Sequence, residues 1–152
     1  MKPSRRLRIL DVLSRQTRLR VEQDKQQLRK AAAARDTCHL SYTEAQARAD
    51  AALAVQHRLA EQGQTIDVEL LRNGGSHVAD RLRSAATAQL ELERAQDEVK
   101  RKHDCVAKGR VRIEKLEDRR SEEVEHLKAV ELERVQHELD EAWLLKQGGL
   151  ER

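Results

Sequence analysis

Apolar residues along the first third of the chain recur in alternating steps of three and four. The series runs through Val21, Asp24, Leu28, Ala31, Arg35, Cys38, Tyr42, Ala45, Ala49, Ala52, Gln56 and Leu59, and nine of these twelve positions are apolar. That spacing predicts one long helix with a coiled-coil seam. Ser4, directly after Pro3, is placed to cap its first turn. Alanine dominates the middle of the seam, so two helix axes can approach closely there while burying little area, at about 25 cal/mol per Å² of apolar surface.

A second periodic stretch follows, with Val78, Leu82, Ala85, Leu92, Val99, Val106, Ile113, Leu116, Val124, Leu127, Val135, Leu139 and Ala142. Leu92, Val99, Val106, Ile113 and Leu127 fall on a seven-residue repeat, with Arg120 at its missing member. The pattern predicts a second helix over about 77–146, ended by Gln147-Gly148-Gly149. At ~1.5 Å per residue, sixty or so residues of such a helix make a rod on the order of 90 Å long.

Asn73-Gly74-Gly75-Ser76 lies between the two stretches, almost at the midpoint of 152 residues. Each glycine weakens a helix by roughly 1 kcal/mol relative to alanine, and both glycine and asparagine accept positive φ. The expected fold is therefore all-α: an antiparallel coiled-coil hairpin of two long helices. Helix one covers about 4–72, either passing through Gly63 or kinking there, and Asn73, Gly74 and Gly75 form the tip, with Ser76 capping helix two. The alternative ends helix one at Gly63 and makes Gln64–Arg72 a separate piece.

Charge sets the direction of pairing. Residues 1–30 carry ten basic side chains against three acidic ones, a net of +7, whereas residues 114–152 carry twelve acids and seven bases, a net of −5. Folding back lays the basic start beside the acidic end, while a parallel pair of chains would set like ends together. With the turn centred on the glycine pair, facing residue numbers sum to about 149. Leu139 is then expected near Leu10, and Trp143 near Arg6, with the indole covering the open end and an arginine over its face.

Composition narrows the class further. Charged residues make up 38% of the chain, aromatics 1%, and Phe is absent, so large apolar side chains are too few for a multilayered globular core. The abundance of strong helix formers, with the only proline at position 3, favours long helices over disorder. The basic residues Lys2–Arg8 are not followed by the uninterrupted apolar run of a secretory signal, and no stretch reaches the ~20 apolar residues of a membrane span. Cys38 and Cys105 have no Cys-x-x-Cys partner and are expected to be reduced thiols in a cytosolic protein.

Little in the chain points to catalysis or cofactors. No two of His39, His57, His77, His103, His126 and His137 stand three or four apart, the spacing that would aim both at one metal ion, and Cys38-His39 and His103-x-Cys105 point to different faces. Gly74-Gly75 lacks the strand and the Gly-Lys-Ser/Thr of a phosphate loop. A two-helix rod also has no enclosed pocket in which to shift a carboxylate pKa. No catalytic residue, metal or cofactor is expected. The basic start, with Arg5, Arg6, Arg8, Arg15, Arg18 and Arg20, admits three readings: a protein-partner surface, a solvated face, or a phosphate-tracking surface. The absence of interleaved aromatics and the adjacent acidic helix weigh against nucleic acid. Tyr42, the only aromatic of helix one, reads as a large knob filling a gap in the alanine seam or as a partner contact.

The opening Arg5-Arg6-Leu7-Arg8-Ile9-Leu10, the Arg/Glu/Gln/Ala-rich first helix, the near-central break and the acidic second helix together resemble the stalk proteins of type III secretion systems. These are the YscO-like proteins of injectisomes and the related flagellar FliJ. The resemblance covers most of the chain in length, pattern and composition. It implies a non-enzymatic, cytoplasmic bacterial stalk, peripheral to a membrane export apparatus, that couples a hexameric export ATPase to an export gate and also handles escort chaperones. On that resemblance the ATPase-facing end comprises Arg5, Arg6, Arg8 and Arg15 with Trp143 and Leu144, and position alone suggests Tyr42 and Gln46 for the gate. The competing expectations are a general coiled-coil scaffold or adaptor, self-associating through the alanine seam, and a basic nucleic-acid-associated helical protein.

Overall fold

Ser4 starts the first helix as its sequence position predicts. Its hydroxyl oxygen accepts the backbone N–H of Leu7 at 3.1 Å, and its carbonyl accepts that of Arg8 at 3.2 Å. The computed structural model describes residues 4–61 and 68–148. It contains helix α1, Arg5–Glu61, and helix α2, Val68–Gly148, which run antiparallel and pack on each other as a helical hairpin. Among the described residues there is no strand, and the expected all-α fold class is the one that forms.

Two compact units make up the chain. One joins Met1–Glu22 to Ala107–Arg152, and the other is Gln23–Val106. In the first, Ser4 and Arg6 meet Glu123, Asp11 meets Arg120, and Val21 lies against Gly109. In the second, Gln27 accepts a hydrogen bond from Lys102 at 2.8 Å, and Gln56 lies beside Gly75. Facing numbers therefore sum to about 130 in both units rather than 149.

The predicted tip is thereby corrected. Asn73, Gly74, Gly75 and Ser76 are all helical within α2, and residues 68–72 belong to α2 instead of helix one. Helix α1 ends at Glu61 and α2 begins at Val68; Gly63, where a kink or an early end was expected, lies outside the described residues, as do Gln64–Asp67. The physical reason lies in the seams. A sum of 149 would set Ala31, Arg35 and Ala45 opposite Asp118, Glu114 and Asp104, burying acids against the apolar line. A sum near 130 sets Ala31 opposite Val99, Cys38 opposite Leu92, Tyr42 opposite Ala88, and Ala52 opposite Val78. Two helical glycines cost about 2 kcal/mol in all, less than mispairing an entire seam with carboxylates.

The α1 seam itself agrees with its spacing at every position. All twelve predicted residues are buried or half-buried, and Val21 and Ala49 are fully so. On α2, Val78, Ala85, Ala88, Leu92 and Val106 form the core, with Val99, Ile113, Leu116, Val124 and Leu127 half-buried. Arg120 turns out of the seam to bond Asp11 at 2.8 Å. Leu82, Val135, Leu139 and Ala142, grouped with the seam by their apolar character, are exposed.

A Cβ built on Gly74 meets nothing within 4 Å, and one on Gly75 makes only ordinary contact with Gln56. The double variant Gly74→Ala, Gly75→Ala is expected to remain a hairpin and to gain about 1–2 kcal/mol. Thermal unfolding followed by circular dichroism, with mass from light scattering, checks this. A fall in stability or a switch to pairing between chains would contradict the placement of these residues inside α2.

Candidate functional site

The chemistry-bearing surface of this chain lies in the unit that joins the start of α1 to the second half of α2. Here the basic start, net +5 over residues 1–22, runs beside acids of α2, as the charge halves require. Among the described residues, ion pairs between the helices here include Arg6–Glu123 at 3.9 Å, Arg18–Glu117, and Arg120–Asp11 at 2.8 Å. All have at least one well-exposed partner, so each contributes roughly 0–1 kcal/mol, and their main effect is on direction and register. Glu123 is the exception in burial, its side chain only 15% accessible. It accepts the Ser4 hydroxyl at 3.1 Å and places a carboxylate at the N-terminus of α1, where the helix dipole favours negative charge. Sequence reasoning missed Glu123. The signal that finds it is an acid lying opposite a predicted cap once the seams are aligned.

Of the predicted contact residues, Arg5, Arg6, Arg8 and Arg15 lie exposed on the first three turns of α1. Trp143 and Leu144 are also exposed, at 60% and 61%, but they are not brought to the start of α1. Arg6 pairs with Glu123, twenty residues before Trp143 on α2, a separation of roughly 30 Å along the helix. The expectation that the indole covers Arg6, and that Leu139 lies near Leu10, is therefore corrected. Leu10 instead shares a shallow groove with Arg6, Ile9, Arg119, Glu122 and His126. From Leu132 to Gln147 every residue of α2 is exposed, so the helix continues as an overhang past the described start of α1.

Tyr42 and Gln46 stand in the other unit. Tyr42 is half-buried at its seam position, and Gln46 is half-buried with its amide donating to Asp50 at 3.1 Å on the same helix. These contacts are structural in kind and leave little of either side chain for a partner.

No protein-family model, curated protein or solved structure matches this chain.

Among the described residues, no group of three or more His, Cys, Asp or Glu is placed to hold a metal, and no helix is long and apolar enough to cross a membrane. Cys38 and Cys105 are both free. The grooves along the hairpin are open troughs bordered by both helices, such as the one between Asp11, Ser14 and Arg15 on α1 and Ser121, Val124 and Glu125 on α2. Such surfaces suit contacts with another protein better than enclosure of a small molecule.

Proposed function

We propose that the chain is a non-enzymatic, cytoplasmic stalk of a type III secretion system, coupling a hexameric export ATPase to an export gate and handling escort chaperones. The observation that carries this reading is the asymmetry of one unit: exposed Arg5, Arg8 and Arg15 on α1, with an α2 overhang bearing Trp143 and Leu144 beyond them. A ring-shaped partner can receive a single projecting helix in its centre while its rim meets the basic turns at the base. Electrostatic attraction to acidic rim residues would steer the encounter and set the rotational register of the stalk. Gate contact falls to the other unit, whose Tyr42 and Gln46 offer a partner only the part of each side chain that the hairpin leaves uncovered.

Charge reversal of Arg5, Arg6 and Arg8 to Glu is expected to abolish co-purification with the ATPase and to stop secretion, with helicity unchanged by circular dichroism. Among the described residues Arg6 pairs with Glu123 at the long distance of 3.9 Å, and the circular dichroism checks that the hairpin tolerates the exchange there. Undiminished ATPase binding at moderate salt would sink the assignment.

A further inference from the structure

The overhang carries an apolar face that α1 does not use. Leu132, Val135, Leu139 and Ala142 recur in steps of three, four and three, and Leu132 and Leu139 are each 64% exposed. At 100° per residue this line lies about a third of a turn round the helix from Glu123 and Leu127, which face α1. Traced back toward α1, the same line runs through Lys128, Glu125 and Ser121. The apolar face therefore begins only where α1 has ended. Glu131 and Glu138 flank it on one side, both bonded by Arg134 across one turn, and Trp143 closes the other side.

The start of α1 carries the matching surface. Its seam residues Leu7, Leu10, Ser14, Thr17 and Val21 turn toward α2 and are half-buried or buried. Half a turn away, Ile9, Val12, Gln16 and Leu19 repeat the same three-four-three spacing on the outward face, with Leu19 66% exposed. Arg8 and Arg15 flank this line on one side and Arg20 on the other. Among the described residues none of the three takes part in an ion pair.

Placed side by side in parallel, the two lines match as heptads. Leu132 falls on Ile9, Val135 on Val12, Leu139 on the aliphatic stem of Gln16 and Ala142 on Leu19, while Glu138 meets Arg20 and Trp143 offers its ring to Arg15. They cannot meet within one chain, because α1 runs away from the overhang along α2. Two overhangs pairing with each other would instead set Glu131 and Glu138 against their own copies. We infer that the overhang docks on the outward face of α1 of a second copy of this chain, an acid-flanked apolar stripe on a base-flanked one.

This inference does not rest on the secretion reading. Arg15 and Trp143 serve both contacts, so self-association and ring binding compete, and the test uses the chain alone. Sedimentation equilibrium of the full chain is expected to give a mass that rises above one chain with concentration, and less steeply in high salt. Leu19→Glu and Leu139→Glu should each sediment as a single chain, yet associate when mixed, because each retains the stripe the other has lost. Glu138→Arg should weaken association at least about tenfold, and adding Arg20→Glu should restore it. Circular dichroism on each variant confirms that the hairpin is intact, and the restoring double variant covers the case in which a single exchange unfolds the end. A single-chain mass at every concentration overturns the inference. So does self-association of Leu19→Glu alone, which would mean that overhangs, or the alanine seam, pair among themselves.

Discussion

Gly109→Ala is expected to lower the stability of the hairpin, by up to about 2 kcal/mol once the overpacking cost is set against helix propensity, although the same exchange in an exposed helix raises it by about 1 kcal/mol. The sign reverses because of what faces this glycine. A Cβ at position 109 would stand inside contact distance of Val21 Cγ2, with Val21 Cβ at 3.8 Å. Val21 is 4% exposed and β-branched, so its χ1 is held to essentially one well in a helix, and it cannot swing aside. Relief must come from separating α1 from α2, and overpacking of this kind costs about 1–3 kcal/mol. Urea unfolding by circular dichroism measures it. The double variant with Val21→Ala should restore the favourable sign, since the added methyl then fills the space the valine vacates. Equal, stabilising effects at Gly109 and at Gly74 would show that α1 does not approach α2 closely at Val21.

Ala49→Leu is the second large effect, expected at about 1–3 kcal/mol of destabilisation. Ala49 is 0% exposed and stands in the small-residue part of the core with Ala85 and Ala88. Leucine is the better coiled-coil knob by area, and with room for it the exchange would stabilise by burying more apolar surface. Alanine knobs on both helices allow their axes to come close, so three extra carbons must push the backbones apart and strip neighbouring seam contacts. The test is the unfolding midpoint of Ala49→Leu against that of Ala51→Leu, an exposed position on the same helix that should stay within about 0.5 kcal/mol of the parent. Equal stability of the two would mean that the seam has slack.

These two positions mark how far the chain can be read without coordinates. The α1 seam was legible residue by residue, because a period of 3.5 admits one buried line per helix, and all twelve positions lie on it. Antiparallel direction was legible from the +7 and −5 ends, and it is seen again in Arg6–Glu123 and Arg18–Glu117. The turn was misread at Asn73-Gly75 because a glycine pair is a local signal worth about 2 kcal/mol, whereas register is the sum over a whole seam. Laying the two apolar lines against each other rules out 149, since that sum sets Asp104, Glu114 and Asp118 on the alanine line, but sums a heptad apart match equally well, and contacts such as Lys102 to Gln27 decide for 130. Among the candidate contact residues, exposure of the arginines followed from their places off the seam. The separation of Trp143 from Arg6 followed only from the register.

The sequence by itself thus determined two long helices, the buried face of α1 and their antiparallel sense, because periodicity and end charge act through every residue of a helix. Tertiary structure alone decided where the helices stop facing each other. Moving the turn ahead of Val68 slides α2 past α1 by nearly twenty residues. That slide seats Val21 on Gly109, closes the α1 start with Glu123, and leaves Leu132–Gln147 uncovered. Offset is a property of the pair, set by which knobs can share a seam, and neither helix carries it alone.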